Sequence, residues 1–151
     1  MNIEQALKNN TPLSQGSRTV INLMYTCRQV EEFGTSLFKE HDLTHQQYNV
    51  LRILRGQKGK PANLSTITER MIDKSSNTTR LIDKLIQKGL VNRQVCEKNR
   101  RKIEVFITEE GLSLLKTLDP LVEHTNNDIV ENLSTPELEK LNELLDKLRK
   151  K

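Results

Sequence analysis

Between Lys74 and Lys102 the chain places nine cations, Lys74, Arg80, Lys84, Lys88, Arg93, Lys98, Arg100, Arg101 and Lys102, against two acids, Asp83 and Glu97. That stretch carries +7, whereas all 151 residues together carry +4, so the remainder is mildly acidic at −3. Positive charge gathered on one part of an acidic body is the electrostatic footprint of a phosphate binder. The residues among these cations refine the chemistry. Lys74, Ser75, Ser76, Asn77, Thr79, Arg80 and Lys84 mix short hydrogen-bonding side chains with cations. Such groups meet base edges and phosphates in a DNA major groove. Further on, Glu97-Lys98-Asn99-Arg100-Arg101-Lys102 holds four cations in six residues. Lys98, Arg100 and Arg101 suit phosphates and the narrow, electronegative minor groove.

Other chemistries lack support. No Ser/His/Asp or Cys/His constellation, no glycine-rich phosphate loop and no carboxylate pair on the basic segment can be picked out, which excludes an enzyme. His41, His45 and His124 do not form a metal-binding spacing, and no cofactor is implied. Cys27 and Cys96 are far apart and suit a reducing cytosol without a disulfide framework. No run of about 18 apolar residues exists, so no membrane span is expected. Met1 to Thr11 is polar, unlike a signal peptide. These features predict a soluble, cytoplasmic protein.

The elements that must carry the basic segment can be read from periodicity and capping. Residues 1–16 form a polar arm with Pro12 and Gly16, expected to fray. Ser17 to Lys39 reads as a helix, with Val20, Leu23, Met24, Cys27, Val30 and Leu37 on one stripe. Thr44 and Gln47 form a capping box opening a second helix, which ends at Gly56 to Lys60 before Pro61. Asn63 caps a short helix to about Met71, and Asp73 or Ser75 caps the next, which runs to Lys88. Its apolar side is Thr78, Leu81, Ile82, Leu85 and Ile86, so Ser76, Arg80, Asp83 and Gln87 point outward. Gly89 closes that helix. Leu90 to Cys96 and Ile103 to Thr108 alternate as strands around the basic loop.

Thr108 caps a further helix, which Pro120 should kink or split. Ser134-Thr135-Pro136-Glu137 opens the last helix, where Leu138, Leu141, Leu145 and Leu148 repeat at 3-4-3. Such a seam must pack on its own chain or on another. With 34% hydrophobic residues and no Trp, part of the core is expected to be shared between subunits. Val20 and Leu23 with Leu138, Leu141, Leu145 and Leu148 are the expected dimer contacts. The fold class predicted is mainly α with a small β wing: a winged helix-turn-helix lobe over 40–108 on a helical dimerisation base of 17–39 and 109–151. Two function classes fit this layout: a regulator that binds double-stranded DNA, and a winged helix that contacts proteins as a co-regulator. The +7 segment favours the first.

Several motifs in their order resemble the MarR family of bacterial transcription regulators. They are Leu43-Thr44 with Gln47 and Leu51, Thr79-Arg80-Leu81-Ile82-Asp83-Lys84-Leu85, Lys88-Gly89-Leu90-Val91, Asn99-Arg100-Arg101, and Ile107-Thr108-Glu109-Glu110-Gly111. The likeness covers about Val20 to Leu148. It implies an obligate homodimer, triangular in outline, whose two lobes straddle a pseudo-palindromic operator. It also implies a repressor, less often an activator, switched by a small-molecule effector or by oxidation. The family's wing usually carries Asp-x-Arg, where the acid steadies the arginine. Here Asn99 takes the acid's position and Arg101 the arginine's, so charge support for Arg101 is absent. Peroxide-sensing relatives use a first-helix cysteine, whose position falls here at Val20. Cys27, about two turns later on the apolar stripe, is expected to be a buried structural thiol.

Overall fold

The computed structural model describes residues 1–150. The order is α1 (Ile3–Ala6), α2 (Gln15–Glu40), α3 (His45–Arg55), α4 (Leu64–Arg70), α5 (Thr78–Gln87), β1 (Val91–Cys96), β2 (Asn99–Ile107), α6 (Glu109–Val130) and α7 (Thr135–Arg149). Local chemistry sets most boundaries. Thr44 Oγ1 accepts the Gln47 N–H at 3.1 Å while Gln47 Oε1 accepts the Thr44 N–H at 3.2 Å, which starts α3. Asn63 accepts from the Thr66 N–H at 2.8 Å and starts α4. At α7 the Glu137 carboxylate takes both the N–H and the hydroxyl of Ser134, which holds its pKa below the usual glutamate range.

The arm expected to fray is partly ordered. Asn2 and Gln5 cap α1 reciprocally, Ile3 is buried, and Glu4 lies 3.2 Å from Arg18 of α2. Pro120 does not split its helix either. One α6 runs through it, as the proline removes a single hydrogen bond and the rest of the ladder persists.

The core lies inside the 40–108 region and closes onto α6. Val50, Leu51 and Leu54 of α3 meet Ile67 and Met71, Ile82 and Leu85 of α5, Val91 and Val105 of the strands, and Leu115 and Leu118 of α6. The two strands are antiparallel from Val91↔Ile107 to Val95↔Ile103, and Ala62 adds an isolated bridge to Val105. The junction between wing and α6 is tight. Thr108 Oγ1 accepts the Gly111 N–H at 3.1 Å and donates to the Gly89 carbonyl at 2.7 Å, while the Thr108 N–H reaches the Leu90 carbonyl at 3.0 Å. Gly111 is buried there. A Cβ on it would sit 2.4 Å from the Leu90 carbonyl oxygen and 2.6 Å from Ile107 Cγ1.

The α2 stripe is not covered by the rest of the chain. Met24 is 68% exposed, Phe33 59% and Val20 55%, and only Phe38 at the far end is buried. Cys27 is exposed too, contrary to its expected burial. Periodicity located the stripe correctly, but nothing in this chain packs on that part of it. The last helix behaves likewise: no residue of α7 is buried, and Leu148 is 62% exposed.

Candidate nucleic-acid interface

The helix-turn-helix is α4, the turn 71–77, and α5. Two threonines fix its angle. Thr68 Oγ1 donates its proton to the Leu64 carbonyl at 2.9 Å, and Thr78 Oγ1 lies 2.6 Å from it. With the Thr68 proton committed, Thr78 must be the donor of that second bond. Thr78 is buried, so this bond joins the start of α5 to α4 inside the protein.

The helix begins later than expected. Neither Asp73 nor Ser75 caps it; Asn77 does, its Oδ1 accepting the Arg80 N–H at 3.1 Å. Asp73 instead orders the turn. Its Oδ1 accepts from the Ser75 hydroxyl at 2.6 Å and the Ser75 N–H at 2.9 Å, and these bonds keep its carboxyl below the usual aspartate range. From α3, Asn49 Oδ1 accepts the Ile72 N–H at 2.9 Å, and Gln46 Nε2 lies 3.5 Å from Asp73. Sequence reasoning missed Asn49 and Gln46, because only the tertiary fold brings them to residues more than twenty positions away.

The seven residues predicted to face the major groove therefore divide. Thr79, Arg80 and Lys84 are exposed on α5, with no side-chain hydrogen bond or ion pair among the described residues. Lys74 is exposed, but its ammonium donates to the Glu69 carbonyl at the end of α4. Ser75 is tied to Asp73, and Asn77 spends its oxygen on the cap. Ser76 departs from its predicted outward placement: its hydroxyl oxygen is buried and unpartnered among the described residues. Because the helix starts at Thr78, residues 74–77 follow the turn rather than the helical face that periodicity assigned them.

The wing also differs from a free basic loop. Glu97 and Lys98 make the tight turn, and β2 already starts at Asn99. Cys96 pairs with Asn99, whereas Val95 pairs with Ile103, so Arg100, Arg101 and Lys102 fall in a bulge between the two pairings. All three are exposed, as is Lys98. Asn99 Oδ1 accepts the Arg101 backbone N–H at 3.1 Å, so it orders the bulge backbone while the Arg101 guanidinium has no partner among the described residues. Nearer the base, Arg93 pairs with Asp83 of α5 at 2.9 Å, which ties the wing to that helix. Across the strands Gln94 donates to Glu104 at 2.9 Å, and this bond, followed by one from Cys96, keeps Glu104 below the usual glutamate range. Among the described residues no group of three or more His, Cys, Asp or Glu could hold a metal ion, and no helix is long and apolar enough to cross a membrane.

A helix-turn-helix whose second helix carries unpaired polar and cationic side chains, followed by a two-stranded wing with further unpaired cations, is the layout of winged-helix transcription regulators. The MarR family profile matches residues 43–103. A MarR transcription factor from Planctomyces limnophilus is 32% identical, over 90% of this chain and 98% of that one, with a TM-score of 0.71. The HTH-type transcriptional regulator SarZ of Staphylococcus haemolyticus is 26% identical over 106 residues, 70% of this chain and 71% of SarZ. BpsR of Bordetella bronchiseptica, whose DNA binding is regulated by 6-hydroxynicotinic acid, shares the fold at a TM-score of 0.81 and 22% identity, over 93% of this chain and 99% of that one. The chain belongs to the MarR family, and its relatives are transcription regulators, not enzymes.

Proposed function

We propose that this MarR-family regulator is a cytoplasmic homodimer that binds double-stranded DNA at a pseudo-palindromic operator and acts as a repressor released by a small-molecule effector. Residues 40–108 form the DNA-binding lobe, 17–39 and 109–151 the dimerisation region, and 1–16 an arm laid on the latter. The observation that carries the DNA reading is the set of exposed side chains without partners: Thr79, Arg80 and Lys84 on α5, and Lys98, Arg100 and Arg101 on the wing. Ionic groups left unpaired in the free protein retain their full capacity for phosphate and base acceptors. The dimer is supported by the uncovered stripe of α2, with Val20 exposed and Leu23 half-buried, and by Leu138, Leu141, Leu145 and Leu148 of α7, none of them buried. An effector is supported by BpsR, a structural relative whose DNA binding responds to a small molecule.

The test is a salt-titrated binding assay on the upstream region of the chain's own gene, with binding-site selections on Arg80→Ala and Arg101→Ala. Losing a base contact at Arg80 is expected to cost about 1–3 kcal/mol and relax preference at one position of the half-site. Arg101→Ala is expected to flatten the preference for A·T flanks and lower the salt slope by about one unit. A chain that sediments at twice its monomer mass yet binds no duplex even at low salt is instead the protein-contacting co-regulator.

A further inference from the structure

The first turns of α3 touch three separate parts of the molecule. His45 Nε2 lies 2.8 Å from the Glu31 carbonyl of α2; a carbonyl only accepts, so Nε2 carries the proton. Gln47, two residues on and buried, accepts the Thr44 N–H at 3.2 Å and the Lys88 ammonium at 3.0 Å with the same Oε1. Lys88 is the C-cap residue of α5. It also donates to the Asp42 carbonyl and lies 3.6 Å from the Asp42 carboxylate. Asn49, two residues further, holds the Ile72 amide just past α4, where the turn that leads to α5 begins. One short stretch of α3 therefore holds the start of the turn that leads into the DNA-reading helix and the far end of that helix.

These grips differ in kind from the apolar packing beside them. Burial of Ile82 and Leu85 is non-directional and tolerates small rotations of α5 about its contacts. Hydrogen bonds weaken steeply away from linearity, so one bond at the C-cap of α5 and one on the turn that feeds it constrain the tilt of the helix. Recognition of base edges needs placement within about 0.5 Å and 10–20°. Lys88 itself is spent on this task. An ammonium has three donors, and its neighbours supply the Asp42 carbonyl, Gln47 Oε1 and the Asp42 carboxylate. Two of its three donors are thus taken by the Asp42 carbonyl and Gln47, and the nearby Asp42 carboxylate offsets its charge, which sets it apart from the unpaired cations of α5 and the wing.

We propose that Gln47 and Asn49 are positioning residues which, through Lys88 and the Ile72 amide, set the angle at which α5 enters the major groove. They thereby determine how sharply the protein separates one DNA sequence from another, without touching DNA. This rests on the DNA-reading function proposed above.

The experiment measures affinity of the full chain for a selected operator and for a shuffled duplex of equal length, each across a salt series. The variants are Gln47→Leu, Gln47→Glu, Lys88→Met, Asn49→Ala and Asn49→Asp. Gln47→Leu, Lys88→Met and Asn49→Ala are each expected to lower the ratio of specific to non-specific affinity about tenfold, comparable to one mismatched base pair. Non-specific affinity and the salt slope stay as in the wild type. Gln47→Glu and Asn49→Asp keep the acceptor oxygen and retain the wild-type ratio. A salt slope lowered by about one unit in Lys88→Met makes Lys88 a phosphate contact and overturns the proposal. Equal losses on both duplexes mean only that folded protein was lost, and overturn it too, as does a Gln47→Glu variant no better than Gln47→Leu. A wild-type chain that fails to discriminate the two duplexes overturns the DNA-reading function itself; variants that discriminate as well as a discriminating wild type overturn the positioning role alone.

Discussion

Replacing Gly111 by alanine sets two effects of opposite sign against each other. In the first turn of α6, alanine gains about 1 kcal/mol of helix propensity over glycine. The structure opposes it. The new Cβ would lie 2.4 Å from the Leu90 carbonyl oxygen and 2.6 Å from Ile107 Cγ1. Ordinary carbon contacts lie near ~3.5 Å, so α6 and the wing base must separate by roughly 1 Å. Forced expansion of a packed junction costs about 1–3 kcal/mol. The same displacement weakens the two bonds from Thr108 to the Gly89 and Leu90 carbonyls, at about 0.5–1.5 kcal/mol each. Subtracting the propensity gain leaves a net loss of roughly 1–5 kcal/mol. For a chain of this size that lowers Tm by about 2–20 °C. Thermal unfolding followed by circular dichroism at fixed protein concentration measures it. A variant more stable than the wild type by the propensity increment would show that the junction has slack and refute the steric argument.

Three further outcomes are expected. Asn77→Ala removes the cap of α5 and should cost about 1 kcal/mol of stability, whereas Asn77→Asp keeps it, so a DNA-binding defect confined to Ala and proportional to its instability separates capping from base contact in unfolding and binding titrations. Thr68→Val should destabilise more than Thr78→Val, because the first strands a buried hydroxyl donor at about 1–3 kcal/mol and the second removes the donor itself, leaving Thr68 bonded to Leu64; equal melting temperatures would contradict the assigned proton positions. Arg55 grips Asp119 at 2.8 and 3.0 Å, and that bond holds the Asp119 carboxyl below its usual value. Because the folded pKa is the lower one, this stabilisation is full above the unfolded value near ~4 and is lost as pH falls through the folded value, so Asp119→Asn should flatten stability against pH below about 4 while leaving the neutral-to-acid slope above it unchanged.

What could be read in advance was what depends on neighbours in sequence. Thr44 with Gln47, Asn63, Thr108, and Ser134 with Glu137 each bond three residues along the chain, so residue type and spacing suffice to mark the helix starts. The start of α5 escaped because Asp73, Ser75 and Asn77 are all competent caps. Contacts from Gln46 and Asn49 of α3, and the buried Thr68–Thr78 bond, draw Asp73 into the turn and leave the cap to Asn77. The wing cations were legible as a charged run, but the bulge that carries them depends on cross-strand register, which alternation alone does not define. Cys27 shows a third limit. Helical spacing says which residues share a face, and it is silent on whether this chain supplies anything to cover that face.

The uncovered leucines of α7 bear on the protein's supply as much as on its architecture. On the dimer proposed above, a freshly made chain displays this seam until it finds a second one, and for that interval it is a substrate for chaperones and proteases. Where most chains are single, halving synthesis lowers the paired, operator-competent form roughly fourfold, since pairing follows the square of concentration. The seam thus makes gene dosage and turnover of the lone chain part of the regulatory response, before any effector is present.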